Sequence, residues 1–387
     1  IEQPKDFKWP DPAIEVMTPR DYITRVQPLG ERGVRVINLC RNTSYLSLGY
    51  YCSLLAEARK HRVIPAVEVL LELNWKRLYS TYLPELEAEF RKAVAKYDLA
   101  ILQDPQEALP PSDAKALEKF AEAGRALGID VTMVTRRDLG KLAEFDALFI
   151  RETTSLDNHT YRFAKKAAAE GMPVIDDPVS ILRCTNKVYL AELLQAHKIA
   201  APRTLLVDSN TLGEVEKTMG YPVVLKVPDG SFSRGVHKAE NREELETYAK
   251  QLLKGSDVIL AQEFMYTQYD WRVGILNRKP LYVSQYMMAR KHWQIVKHGP
   301  AGSVVEGDSK TMAVADAPQQ VVDTALAAAN LIGDGLYGVD LKQNERGVFV
   351  IEINDNPSID SGIEDAVLKD GLYTAIIQEF IRRIESR

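Results

Sequence analysis

Between Tyr97 and Ile175 the chain alternates between short aliphatic runs and helical segments, and this alternation constrains its fold more than any other feature. Tyr97 to Leu102 reads as a strand, Ala114 to Leu127 as a helix stopped by Gly128, and Ile129 to Val134 as the next strand. Asp146 to Ile150 is another apolar run, Tyr161 to Glu170 a helix stopped at Gly171-Met172-Pro173, and Val174-Ile175 a short strand. Strands that alternate with helices predict a parallel α/β sheet.

The flanks read differently. Pro and charge dominate the first thirty residues, which are expected to wrap or fray, and Val34 to Leu39 reads as a buried strand. Gly49 to Lys60 has helical periodicity, His61 to Pro65 is a strand-like return, and this first unit is expected to run to about residue 95. From about Cys184 onward, helices mix with antiparallel hairpins. Val258 to Met265 is a strand, Trp271 to Tyr286 a hairpin turning at 277–280, and Tyr337 to Asn354 a second hairpin turning near 344–347. Leu372, Ile376, Ile377, Phe380 and Ile384 mark a closing amphipathic helix.

A length of 387 residues suggests two or three domains. Net charge of −5, with no basic stripe, argues against a nucleic-acid partner. No apolar run approaches the length of a membrane-spanning helix, so no membrane partner is expected and a cytoplasmic location is. Cys40, Cys52 and Cys184 have neither zinc nor C-x-x-C spacing and are read as buried, reduced thiols. The chain opens Ile1-Glu2-Gln3-Pro4 without an initiator Met, so leading residues are expected upstream of it.

Two glycine motifs are decoys. Gly333-Asp334-Gly335-Leu336-Tyr337-Gly338 has the dinucleotide spacing but follows a helix and precedes a strand, the reverse of what a pyrophosphate needs. Gly230 to Gly235 has P-loop spacing, yet Val236-His237 stands where Lys-Ser/Thr belongs. Its small residues still let backbone N–H groups approach phosphate oxygens, and Lys226, in an otherwise apolar strand, is costly to bury without an anionic partner. A plain hairpin turn with a snorkelling lysine is the alternative.

The last hairpin is the strongest local constellation. Period 2 along Val350 to Asn354 places Glu352 and Asn354 on one face and Ile351 and Ile353 on the other. Asp340, on the partner strand, comes within cross-strand reach if the turn lies near Asn344-Glu345. Three oxygen-bearing side chains from two strands suit a hard cation shared with phosphates. An exposed polar face is the alternative.

In order along the chain stand Thr185-Asn186-Lys187, Lys226 with its Gly/Ser loop, Gln262-Glu263-Phe264-Met265, Asp270-Trp271-Arg272, Asp340, and Glu352-Ile353-Asn354-Asp355-Asn356-Pro357. This order resembles the ATP-grasp superfamily, in its ribosomal-protein-S6-modifying and glutathione-synthetase-like branch, over roughly residues 145–387. The implied fold class is α/β with α+β lobes. An N-terminal α/β domain (1–95) would precede a parallel-sheet pre-ATP-grasp domain (96–183) and an ATP-grasp domain (184–387) hinged near 262–265.

The resemblance also assigns roles. Lys187 and Lys226 would reach nucleotide phosphates, and 229–235, including Gly230, Ser231, Ser233, Arg234 and Gly235, would close over them. Gln262, Glu263, Phe264 and Met265 would hold adenine, with Asp270 taking a ribose hydroxyl. Asp340, Glu352 and Asn354 match magnesium ligands. Arg272 and Asn356 would face the transferring phosphoryl group, Arg290 is a candidate catalytic contact, and Arg151 would clamp a substrate carboxylate. ATP and Mg²⁺ are the implied cofactors, with two ions and Mn²⁺ as a substitute. A small-molecule carboxylate and an amine are the implied partners, and many relatives of this kind dimerise or tetramerise as homo-oligomers, though nothing in the sequence marks an interface.

The implied chemistry is phosphoryl transfer to a carboxylate, then attack by an amine, on amino-acid or small peptide substrates. Two alternatives stay open: addition of amino acids to a protein tail, and a catalytically silent ATP-binding regulator. The sequence names no base for the amine.

Overall fold

The computed structural model describes residues 1, 4, 14–25, 34–73, 97–230, 235–289, 293–298 and 304–386. The chain divides into two compact units, Ile1–Ala95 and Lys96–Arg387.

In the first unit, α1 (Pro19–Thr24) forms inside the stretch expected to fray. Thr18 caps it by accepting from Asp21 N, and Pro19 brings a preset φ to its first turn. Next come β1 (Arg35–Ile37), α2 (Leu48–Ala58), β2 (Arg62–Ile64) and α3 (Val67–Leu73). β1 and β2 pair in parallel. Val36 and Val63 pack towards Tyr22, Cys52 and Ala56, while Ile37 is 67% exposed, so the strand predicted to be buried is covered on one face only.

The second unit opens with β3 (Tyr97–Leu102), α4 (Ala114–Ala126), β4 (Ile129–Val134), a 3-10 turn, β5 (Ala147–Ile150), α5 (His159–Ala169) and β6 (Val174–Ile175). The four strands form an all-parallel sheet in the order β4-β3-β5-β6, as the alternation predicted. Leu99, Ile101 and Phe149 face α4; Ala100, Leu102 and Leu148 share a cluster with Phe163 and Ala164 of α5. Both faces are covered, which is why the strands read as continuous apolar runs.

Two helices, α6 (Pro178–Thr185) and α7 (Lys187–Ala196), lead into β7 (Thr204–Val207), α8 (Gly213–Met219), β8 (Val223–Lys226), β9 (Val236–Ala239), α9 (Arg242–Leu252) and β10 (Ile259–Glu263). These strands make a four-stranded antiparallel sheet, β7-β10-β8-β9. Val223, Leu225, Ile259 and Ala261 pack on one side with α8 and α9. Their neighbours Val224, Lys226, Leu260 and Gln262 therefore take the opposite face.

The largest sheet holds β11 (Tyr269–Leu276), β12 (Lys279–Met287), β15 (Ser309–Met312), β16 (Leu336–Asn344) and β17 (Gly347–Asn354), in the order β15-β12-β11-β16-β17. Two short strands, β13 (Val296–His298) and β14 (Val304–Glu306), pair separately, and α10 (Gln319–Ile332) precedes β16. One face, with Trp271, Val273, Val339, Leu341 and Ile353, packs on α10. At one end of the other face, Leu276, Tyr282 and Leu336 join α4 and the closing α11 (Asp370–Glu385) in a shared core. There Phe120 meets Phe149 and Tyr373 edge-on at centroid distances of 5.1 and 4.8 Å. Burying each such ring stabilises the fold by roughly 1.5–3 kcal/mol. The polar end of that same face carries the candidate site. Among the described residues, no helix is long and apolar enough to cross a membrane.

Candidate active site

A break in strand register builds the centre of the site. β16 and β17 pair with Asp340 opposite Glu352, but Leu341 opposes Val350, leaving Ile351 as the extra residue of a β-bulge. Unbroken alternation would put Val348 and Val350 on the face of Glu352 and Asn354. The bulge lets both valines stay in the core with Ile353 while Glu352 and Asn354 lie beside Asp340. Ile351 is therefore a register insertion and does not join Ile353 in the core, as period 2 alone had predicted. Asn354 Nδ2 donates to Asp340 Oδ2 at 3.1 Å and to Gly338 O at 3.3 Å. Gly338 is needed because a Cβ there would sit 2.7 Å from Pro357.

β11 supplies Arg272, which lies across from Asp340 in register. Its Nε and an Nη donate to the two Asp340 oxygens at 2.7 and 2.8 Å, a bidentate pair. Burial alone would lower the guanidinium's pKa, but Asp340 holds it well above its usual value. The guanidinium lies 5.0 Å from the centre of the Tyr286 ring on β12.

Lys187 enters from α7. Asn186 caps that helix by accepting from Val188 and Tyr189 N–H groups, and it bridges Asp229. Lys187 Nζ lies 3.0 Å from Glu352 Oε1 and also donates to Gly230 O. Burial would push the Glu352 carboxyl up, yet Lys187 and Lys226 hold it below its ordinary value. Lys226 itself donates to Gln262 Oε1 at 2.7 Å, and Gln262 in turn donates to Thr204 Oγ1 at 3.0 Å. Its immediate partner is thus a neutral amide, and burial lowers its pKa to about 8.

Beyond Lys226 lie the residues expected to hold a nucleoside. Glu263 is turned away into ion pairs with Arg203 and Arg346, at 3.1 and 2.7 Å. Phe264 is flanked by Lys238 Nζ, 4.7 Å from its ring centre, and by the edge of Trp293. Met265 is buried. Asp270 accepts from Thr267 at 2.9 Å and pairs with Lys342 at 2.5 Å. Burial raises its pKa against the pull of Lys342. Motif order gave no sign of Lys342 or Lys238, which strand pairing brings in, nor of Thr267 in the turn before β11. Gly235 closes the loop at φ +69°, where a Cβ would meet Val227 at 2.8 Å. Ser231, Ser233, Arg234 and Arg290 lie outside the described residues.

Arg151 departs from the expectation of a substrate clamp. It is 1% exposed, and its guanidinium donates to Ser112 Oγ, Pro357 O, Pro111 O and Asn356 Oδ1. Burial lowers its pKa to about 10. Its donors are directed at fixed protein acceptors, and it takes no part in the cleft wall. Asn356 is tied the same way, accepting from Arg151 at 2.6 Å and donating to Glu152 O at 2.5 Å, although it does reach the cleft.

Lys187, Arg272, Asp340, Glu352, Asn354, Asn356 and Gly230 all line one cleft of about 810 Å³. Further walls come from residues within 108–113, 153–158 and 353–364, together with Thr185, Asp229, Tyr286 and Ser309 among others. Sequence reasoning missed Glu364, a buried acid of this wall, because no spacing links it to the hairpins. Among the described residues no three His, Cys, Asp or Glu side chains converge on one point. Two carboxylates and the Asn354 amide oxygen nevertheless form a hard donor set of the kind that binds Mg²⁺ when phosphates supply further oxygens.

Sequence comparison matches residues 19–119 to a RimK-like ATP-grasp N-terminal domain and residues 184–378 to a RimK-like ATP-grasp domain. The chain is 26% identical over 260 residues to the alpha-aminoadipate–LysW ligase LysX of Saccharolobus solfataricus, covering 62% of this chain and 88% of that one. It is 27% identical over 248 residues to a probable alpha-L-glutamate ligase of Aliivibrio fischeri, covering 63% and 78%. Among solved structures, the D-alanine–D-alanine ligase of Bacillus anthracis superposes with a TM-score of 0.58 at 14% identity, covering 75% of this chain and 98% of that one.

Proposed function

The chain belongs to the RimK-like ATP-grasp family, and from that premise we propose that it is an ATP-dependent carboxylate–amine ligase that releases ADP and joins amino acids or small peptides. The observation that carries this reading is the convergence of Lys187, Arg272, Asp340, Glu352 and Asn354 on one cleft. Each removes an obstacle to the chemistry. A carboxylate repels nucleophiles and hydroxide is a poor leaving group; phosphorylating the carboxylate changes both.

Lys187 and Lys226 would neutralise nucleotide phosphates, and Arg272 would lie beside the oxygens of the group in transfer. Asp340, Glu352 and Asn354 would hold Mg²⁺, two ions in this reading with Mn²⁺ able to substitute, and bound metal would neutralise charge on the transferring phosphoryl group. Lys226, Gln262, Phe264, Met265 and Asp270 mark the nucleoside end. The arm of the cleft between 108–113 and 355–364 would receive the acids and amines, and the cleft volume is in the range of small-molecule sites. Residues 96–183 and 184–387 would act as successive domains, the first walling the substrate arm.

The relatives' names put glutamate and aminoadipate first among acids to try. The test is ADP release from Mg·ATP against amino acids and dipeptides, singly and in pairs, with Glu352→Ala as control. Turnover that needs two particular compounds and vanishes in the variant supports the ligase. ATP binding without turnover on any pair would favour a macromolecular acceptor or a silent ATP-binding scaffold.

A further inference from the structure

A ligase of this kind must deprotonate its amine, and among the described carboxylates of the substrate arm Glu364 is held in a position suited to that task. Glu364 lines the cleft together with Arg272, Asp340 and Asn354, yet is 1% exposed. Tyr286 O–H donates to its Oε1, and Asp360 N–H donates to Oε2 at 2.7 Å. Each oxygen keeps a second lone pair. The same Tyr286 ring lies against the Arg272 guanidinium, which grips Asp340. Glu364 is therefore two contacts away from the proposed phosphoryl-transfer centre.

The loop that carries it is held on several sides. Asp113 N donates to Asp360 Oδ1 at 2.8 Å, Ile359 N to Pro111 O at 2.8 Å, and Thr311 Oγ1 to Ile363 O at 2.7 Å. Such a carboxyl cannot swing away when the cleft fills. The other described charged groups of this arm, Asp113, Asp355 and Asp360, are acidic as well, while Arg272 of the same cleft supplies positive charge.

On the ligase reading above, we propose that Glu364 is the catalytic residue that accepts the proton of the attacking amine. The nitrogen lone pair forms the C–N bond at the acyl phosphate carbon as the C–O bond to phosphate breaks, the phosphate leaving with that electron pair. An ammonium substrate sheds two protons in becoming an amide nitrogen. One goes to the Glu364 carboxylate and the other to the departing phosphate. Burial raises the Glu364 carboxyl to about 7, against the lowering effect of Tyr286 and the Asp360 N–H. Asp360 nearby raises it further, and Arg272 opposes that. A base near neutrality balances availability against strength.

The experiment compares two nucleophiles on one acyl phosphate. Wild-type and Glu364→Gln proteins receive Mg·ATP and glutamate, 2-aminoadipate or alanine, with either an amino-acid amine or hydroxylamine, whose nitrogen is already unprotonated at neutral pH. Glu364→Gln is expected to lose roughly 10²- to 10⁴-fold in amide formation and at least tenfold less in hydroxamate formation. Equal loss with both nucleophiles, or no loss with either, overturns the assignment. Absence of hydroxamate in the wild type would instead count against the ligase reading itself. Tyr286→Phe separates titration from packing: it keeps the ring under Arg272 and removes the donor that lowers the Glu364 pKa. The acidic limb of its pH–rate profile is expected to move to higher pH, and an unmoved limb overturns the assignment.

Discussion

Two guanidinium groups, one buried at the end of the parallel sheet and one half-buried inside the antiparallel sheet, have opposite surroundings. Arg151 spends its donors on neutral acceptors, Ser112 Oγ, two proline carbonyls and the Asn356 amide oxygen, and its pKa falls to about 10. Arg272 meets both oxygens of Asp340, and its pKa rises. A buried cation satisfied by neutral groups is a structural tie between the 111–112 turn and the 356–357 turn. A half-buried cation on a carboxylate in a cleft wall would, on the proposed function, belong to a charge system that a phosphate or a metal ion rearranges.

Arg272→Ala tests the contrast most severely. It leaves Asp340 without its partner and removes charge from the proposed transfer centre, so ADP release should fall by at least about 100-fold. An unchanged rate would remove Arg272 from the chemistry. Next is Arg151→Lys, which cannot reproduce the fan of hydrogen bonds. Unfolding stability should drop by about 3 kcal/mol, with the KM for ATP and amino acid nearly unchanged. A higher KM for the acid at unaltered Tm would restore Arg151 as a substrate contact.

A third measurement follows the cation at the nucleotide end. Lys226 is an ammonium below about 8 and increasingly a neutral amine above it. ATP affinity should therefore weaken as pH rises through that value, by up to about tenfold. In Lys226→Arg the slope should flatten, because guanidinium keeps its charge; a slope that persists would assign the titration elsewhere. The smallest expected effect is that of Asn356→Ala, since this residue belongs to the Arg151 tie while reaching the cleft. A loss of about 1–2 kcal/mol in stability with only a few-fold lower turnover is expected, and a larger kinetic loss would move Asn356 into the transfer site.

The parts of the fold that were legible in the sequence are those governed by local periodicity. The β3–β6 sheet, the turns at Asn277-Arg278 and Glu345-Arg346, α10 and α11 fall where alternation and turn residues put them. The juxtaposition of Asp340, Glu352 and Asn354 was legible because they sit on hairpin strands with a short connection. The Ile351 bulge was not, since a register slip depends on what the facing strand and α10 need to bury. Short Thr18-capped α1 was missed among charged residues that carry no periodic signal.

Sequence alone determined which side chains of the right chemistry exist and in what order, because motif order and strand period are properties of the chain. Only the tertiary structure decided which of them act together. Lys342 reaches Asp270, Tyr286 reaches Glu364, and Asn356 reaches Arg151 across separations that no local pattern spans. The reason is physical: a buried charge or donor must find its partner among whatever groups packing brings within about 3 Å, and packing is settled by the whole core.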